Sequence, residues 1–526
     1  MNTIRIGQQP LSLEEFQTLL YEKAHVEIAA SRLEEIATNY HFLQAFSKNK
    51  IIYGINTGFG PMAQYQVSED ERIESQYNLI RSHCAGSGRP LPYLFSRAMM
   101  IDRLNTLTLA KSGVHPDLVL LLKDLINHQV APVLYEHGGV GASGDLVQLA
   151  HLGLALIGEG MVHYRGEVKK AEEVFLQLGL QPLKIHIREG LAILNGTSAM
   201  TGAAVINILA ADNLLRWSIF LSAFLQEIFE SYNDHFSLPL NKAKLHRGQQ
   251  YVAQAMHALL SSSQRVKHRA EDHYIPTGSN GNGYFHHKIQ EYYSLRCVPQ
   301  ILGPVYDTIA HCRQVVTNEI NSVSDNPVID HHSGHVYHGG NFHGDYVSLE
   351  MDKLKTVIIK LSLLSERQLN YLLNDKLNNK LPPFINPAKV GLNFGLQGVQ
   401  FTATSTVAEN QSLASPVYVH SIPCNNDNQD VVSMGFNAAM ICNKVIENTY
   451  EVMAIELLAV KHAIDYLKIG STMAHPLKDI YLKIQELIPF TSTDIPRYEH
   501  IQSLKDYLKS TQPAVYQHPY TFVASL

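Results

Sequence analysis

The pattern of apolar and polar positions divides the chain into two unequal stretches. Up to residue 196 the signals are short and mixed. Ser12-Leu-Glu-Glu15 has the form of a capping box, in which a serine and a glutamate three residues apart each bind the other's backbone N–H. MVHYRGE, Met161–Glu167, has the alternation and Arg-Gly turn of a small hairpin. From Thr197 the pattern changes. TSAMTGAAVINILAADNLLRWSIFLSAFLQEIFESY is apolar nearly all round, as a buried helix is. Met351, Leu354, Val357, Ile358, Leu361 and Leu364 step by three and four residues, which predicts a long amphipathic helix. Ser433–Ile469 continues in the same way for about ten turns. Helices of this length without heptad punctuation predict a bundle. The expected fold is mainly α: a smaller mixed N-terminal region, 1–196, and a long-helix bundle, 197–526.

Stretches rich in glycine, asparagine and histidine interrupt these helices at Ile275–Gly283, His331–Gly344 and Pro423–Asp430. Loops of that composition on a helical scaffold are where chemistry is expected. Composition narrows what that chemistry is. The net charge is −6 with 27 His counted neutral, and this excludes the basic footprint of a nucleic-acid binder. The one dense basic patch, Arg265–Arg269, is interrupted by Val266 and His268 and followed by Glu271 and Asp272. The five cysteines are scattered, odd in number and never in a CxxC, which argues for reduced thiols and against a zinc site. His331, His332, His335, His338 and His343 match no standard ligand spacing, and no HExxH accompanies them. A solvated hairpin turning at Ser333-Gly334 explains them better, and no metal is expected. The first residues lack an apolar signal segment, and no run of about 18 apolar residues predicts a membrane span. A cytoplasmic protein is the expectation.

The stretch GGVGASGDLVQL, Gly138–Leu149, admits several readings. Gly139–Gly144 fits GxGxxG, but the dinucleotide fold needs a preceding strand and a following parallel one. Here VAPVLYEHGG carries Pro132, and a hairpin rather than a crossover follows. A nucleophile elbow needs G-x-S-x-G, and the position two after Ser143 is Asp145. A plain turn ahead of a helix capped by Asp145 is the simplest alternative. The remaining reading is chemical. In a compressed loop the Gly144 amide nitrogen can attack the Ala142 carbonyl carbon. Loss of water, with the Ser143 hydroxyl, leaves a ring bearing an exocyclic methylene, a built-in electrophile.

That stretch, extended as GGVGASGDLVQLAHLGLALIGEG, resembles the signature of the histidine/phenylalanine/tyrosine ammonia-lyase family. IIYGINTGFG at Ile51–Gly60, LNGT at Leu194–Thr197, QEYYSLRCVPQILGP at Gln290–Pro304, NPVID at Asn326–Asp330, GGNFHG at Gly339–Gly344 and NQDVVSMG at Asn428–Gly435 match in family order. The text is most similar to bacterial tyrosine ammonia-lyases associated with flexirubin-type and aryl polyene pigments. The resemblance implies the fumarase/aspartase-like helix bundle. It also implies a homotetramer whose active sites are shared between subunits. The electrophile would be 4-methylidene-imidazol-5-one (MIO), formed autocatalytically from Ala142, Ser143 and Gly144 with no external cofactor. The family removes ammonia from an α-amino acid to give a trans-arylacrylate.

The resemblance assigns roles residue by residue. Tyr53, on a Gly-hinged lid that includes Gly60, is the candidate base for the β-proton, and Tyr293 is a second tyrosine that shares or replaces that role. A phenol needs a favourable environment to act as a base at neutral pH. Arg296 clamps the substrate carboxylate, which its planar fork suits, with Gln290 in the same motif. Asn195 holds the amine, and Asn326 and Phe342 place the carboxylate and pack under the electrophile. Ser82 and His83 align with the selectivity pair. Asn425, Asn428 and Gln429 stand where substrate-reading residues lie. Ser82-His83 is the pair of histidine lyases, whereas neutral Gln429 replaces the carboxylate with which such enzymes complement imidazole. The pigment-type enzymes share Ser-His, and this reconciles the two. The expected reaction is L-tyrosine to trans-4-coumarate and ammonia. Histidine ammonia-lyase, phenylalanine ammonia-lyase or an aminomutase is the alternative within the class, and an inactive structural homologue the one outside it.

Overall fold

Long helices dominate the architecture because the apolar runs are too long and too evenly sided for strands. The computed structural model describes residues 2–22, 24–269 and 289–515. The loop expected at Ile275–Gly283 lies outside them. The three apolar runs become the helices Ser198–Ile228, Asp345–Leu373 and Gly435–Leu467. The sheets are small, of two or three strands. The expected hairpin is present, with Met161–Tyr164 antiparallel to Glu167–Lys170. The histidine-rich segment also forms a hairpin, Val328–Asp330 against His335–Tyr337, turning through a left-handed Gly334. The Ser12–Glu15 capping box closes as predicted, with Glu15 N–H donating to Ser12 Oγ at 3.1 Å and Ser12 N–H to Glu15 at 2.9 Å.

The helix Ser198–Ile228 is long and apolar enough to cross a membrane by length and composition, but 89% of its most apolar window is buried inside the protein. It is a core helix. Trp217 within it is fully buried and donates its indole N–H to the Leu508 and Thr511 carbonyls, both at 3.0 Å.

Contacts divide the chain discontinuously, whereas the sequence pattern suggests one cut after residue 196. The first unit is 1–207 with 312–352 and 416–442; the second is 208–311, 353–415 and 443–526. Hydrophobic periodicity records the helices but not the return of two later segments to the first unit. In the second unit the long helices are joined by polar pairs. Asn213 donates to the Tyr450 hydroxyl at 3.1 Å and Gln368 to Ser222 at 2.9 Å, and Ser365 donates to Glu456.

In the first unit three helices carry side chains of the candidate site or lead to one: Arg72–His83, Leu146–Leu156 and Glu189–Leu194. They approach closely because small residues face the contacts. A Cβ on Gly153 would lie 3.2 Å from Ile80 and 3.4 Å from Ile193, and one on Gly190 would lie 2.6 Å from the Gln76 carbonyl oxygen. Gln76 itself caps the start of the third helix, accepting from Leu191 N–H at 3.0 Å.

Candidate active site

The loop Gly138–Gly144 contains left-handed glycines at Gly138, Gly141 and Gly144, a conformation that side chains resist. It is tied down at both ends. On one side Met434 N–H donates to the Val140 carbonyl at 3.0 Å, and Ser433 Oγ donates to the Gly141 carbonyl at 3.1 Å. On the other, Asp145 N–H donates to the Gly196 carbonyl at 2.7 Å. The backbones of Gly144 and Gly196 touch so closely that a Cβ on Gly144 would collide with the Gly196 carbonyl. Ala142 and Gly144 are buried, and Ser143 is half-buried.

Asp145 departs from the expected cap. It starts the helix Leu146–Leu156 without a side-chain bond to it. Its carboxylate accepts instead from Met200 N–H at 2.8 Å, at the start of the helix Ser198–Ile228. The positive end of that longer helix is the better partner for a carboxylate. Complete burial still pushes the Asp145 carboxyl up to about 7.

Ser143 opens into a cavity of about 920 Å³. Twelve sequence-predicted residues line it: Tyr53, Gly60, Ser82, His83, Ala142, Ser143, Asn195, Asn326, Phe342, Asn425, Asn428 and Gln429. Gly144 lies buried beside them.

Tyr53 stands in a segment that its neighbours anchor. Ile52 and Ile55 are buried in a cluster with Leu43, Ile329 and Val336, while Tyr53 faces the cavity. The apolar residues around Tyr53 therefore fix the loop without drawing the tyrosine into the core. The Gly60 N–H donates to the Tyr53 hydroxyl at 3.0 Å. Gly60 has φ +53, and a Cβ there would meet the Asn425 amide at 2.6 Å.

Asn195 spends both Nδ2 hydrogens, on Asp325 Oδ1 at 3.1 Å and the Asn326 carbonyl at 3.0 Å. What it can offer a ligand is its Oδ1, an acceptor. Asp325 is held in turn by a fully buried ion pair with Arg188 at 2.8 Å. Asn326 Oδ1 accepts from Gly339 N–H at 2.8 Å, which leaves its Nδ2 as a donor. On the opposite wall Gln429 donates to Ser143 Oγ at 3.0 Å and accepts from the Cys424 thiol at 3.3 Å.

His83 Nδ1 lies 2.9 Å from the Leu79 carbonyl and 3.1 Å from Ser82 Oγ. A carbonyl can only accept, so Nδ1 carries the proton and Nε2 of the neutral ring presents a lone pair.

Gln290, Tyr293 and Arg296 are not part of this cavity. They belong to the second unit and share a different one, of about 700 Å³. There Arg296 donates to Gln290 and lies 4.7 Å from the Tyr293 ring centre, and Tyr293 is 68% exposed.

Some lining residues escaped the sequence reading, among them Met62, Tyr65, Ser75, Asn78 and Leu79. A signal for three of them was present. Ser75, Asn78, Leu79, Ser82 and His83 fall at helical spacing, so once the pair 82–83 was placed in the site the rest of that face followed.

Residues 11–486 match the family model for aromatic amino acid lyases. The chain belongs to the aromatic amino acid lyase family. It is 37% identical to a tyrosine ammonia-lyase of Cupriavidus metallidurans, over 89% of each chain. It is 35% identical to a histidine ammonia-lyase of Geobacillus sp. (strain WCH70), over 95% of each. The crystal structure of a tyrosine aminomutase from Streptomyces globisporus superimposes with a TM-score of 0.92 at 32% identity, covering 97% of each chain. In this family of ammonia-lyases and aminomutases the electrophile is the autocatalytic MIO group, and the substrates are small amino acids.

Proposed function

We propose that this protein is an ammonia-lyase acting on an aromatic L-amino acid, with L-tyrosine preferred, and that it releases trans-4-coumarate and ammonia. The observation that carries the reading is Ser143, half-exposed on the Gly-strained loop, opening into the same cavity as Tyr53, Asn195 and His83. MIO formed from Ala142, Ser143 and Gly144 would supply an electrophile for the substrate amine, and no external cofactor would be needed. The tethers at Val140, Gly141 and Asp145 hold the loop ends, and the absence of a Cβ on Gly144 lets its backbone lie against that of Gly196.

The remaining residues orient the substrate. Asn195 Oδ1 accepts from the substrate ammonium, and Asn326 Nδ2 donates to its carboxylate. Tyr53 Oη takes the β-proton. His83 Nε2 accepts from the phenol hydroxyl of tyrosine, and neutral Gln429 disfavours an imidazolium. Arg296, Gln290 and Tyr293 serve the site of a neighbouring copy in a homotetramer. This accounts for an exposed tyrosine beside an arginine away from the Ser143 cavity.

The test is kcat/KM on tyrosine, phenylalanine and histidine, followed by arylacrylate absorbance, for wild type and Ser143→Ala. The expected result is tyrosine preference, with a loss of several orders of magnitude in the variant. Wild type preferring histidine overturns the substrate, and an active Ser143→Ala overturns the chemistry. The similarity to a tyrosine aminomutase favours one second reading, migration of the amine to the β-carbon. β-Tyrosine as the main product would establish it.

A further inference from the structure

Away from the cavity, His115, Asp117 and His186 bring their ligating atoms within 4.8 Å of one another. None of the three lines the cavity around Ser143. We propose that they form a binding site for a divalent transition-metal ion such as Zn(II) or Co(II).

The site is built from two separate segments. His115 caps the helix Pro116–Asn127, with Asp117 in its first turn, and His186 precedes the helix Glu189–Leu194. One fully buried carboxylate joins them: Glu189 accepts from His115 N–H at 2.8 Å and from His186 N–H at 2.6 Å. The main chain beneath both imidazoles is therefore fixed. The ring orientations are fixed too. Tyr40 packs edge-on against His115 at 5.1 Å and against His186 at 5.7 Å, and the two imidazoles lie 4.6 Å apart.

Two imidazoles and a carboxylate are the donor set of an open zinc-type site, with bonds of about 2.0–2.2 Å to each ligand. His115 Nδ1 lies 3.2 Å from Asp117 Oδ2, a donor separation that bonds of about 2.0–2.2 Å to one ion allow. That nitrogen also accepts from the Asp117 N–H at 3.3 Å, a bond that an ion would replace, and His186 has only to close from within 4.8 Å. A ligating imidazole must be unprotonated. Among the described residues Asp117 makes no ion pair with a lysine or arginine, and its side chain is 65% exposed.

A second grouping, Glu35 with His331 and His332, is the weaker candidate. Its one carboxylate, Glu35, is already paired with Arg32 at 2.7 Å, whereas Asp117 has no such partner among the described residues. It serves as the internal control.

The proposal is tested on the full-length protein made metal-free by chelation and dialysis. Co(II) titration, read by visible d–d absorbance and calorimetry, is expected to show one ion per chain. Asp117→Asn and His186→Gln are each expected to weaken binding by about tenfold or more, given that even outer-shell changes at metal sites cost about 10–100-fold. At one Zn(II) concentration, Tm of the wild type should rise by more than Tm of Asp117→Asn. Should His186→Gln fail to fold, the exposed Asp117 carries the test alone. No binding at millimolar Co(II), or affinity unchanged in Asp117→Asn, overturns the proposal. So does binding lost in His331→Gln/His332→Gln instead.

Discussion

Gln429 donates its amide hydrogen to the hydroxyl of Ser143 at 3.0 Å, and the thiol of Cys424 holds the other end of the same amide at 3.3 Å. Gln429, which the proposed function makes a substrate-reading residue, thus touches the serine from which the electrophile would form.

Gln429→Glu places a negative charge at that point. A carboxylate complements an imidazolium and, unlike the amide, has no hydrogen to donate to a substrate. kcat/KM on histidine is expected to rise and that on tyrosine to fall, each by roughly tenfold, the value of a hydrogen bond of about 1–2 kcal/mol. Steady-state assays on both substrates decide it; an unchanged ratio removes Gln429 from substrate reading.

His83→Phe removes the Nε2 lone pair that remains once Nδ1–H bonds the Leu79 carbonyl, on a residue that lines the cavity. A site built to pair a hydroxyl rejects the analogue lacking it, because a buried group is left unpaired. Preference should move from tyrosine toward phenylalanine by roughly ten- to a hundredfold, for a bond worth about 1–3 kcal/mol. Competition between the two amino acids measures the ratio. If it stays the same, His83 does not contact the ring substituent.

Shared sites predict complementation. Ser143→Ala and Arg296→Ala chains should each be nearly inactive alone. Coexpressed one to one, they should form mixed tetramers with about one quarter of the sites intact, from random association of equivalent subunits. Activity no higher than that of the separate variants argues that each site draws on a single chain. Sedimentation of the active species as a monomer argues the same.

Glu456 predicts a pH dependence of stability. It is fully buried, and desolvation pushes its carboxyl from 4.5 to about 8, with only the Ser365 hydroxyl in compensation. The native state therefore holds a proton that the unfolded chain releases between about pH 4.5 and 8. Stability from this group is complete below pH 4.5 and lost as pH rises through 8. The slope is at most about 1.4 kcal/mol per pH unit. Glu456→Gln removes it, so unfolding midpoints of wild type and variant should diverge from pH 5 to pH 8, with the variant gaining. Parallel curves contradict the assignment.

The capping box at Ser12–Glu15, the hairpin at Met161–Glu167 and the three long helices were legible because their causes are local. Side-chain period, cap chemistry and turn residues act within a few positions of one another. The family motifs likewise named Tyr53, Ser143 and Asn195 without a fold. Three matters were not local, and only the tertiary structure decided them. Asp145 turned from its own helix to the Met200 amide because a longer helix end lay nearby. The chain divided discontinuously, because burial groups segments by space and not by order. Arg296, Tyr293 and Gln290 shared a cavity without Ser143. A sequence shows which side chains can do chemistry. Which of them meet depends on long-range packing, where contacts join residues tens to hundreds of positions apart and leave no period to read.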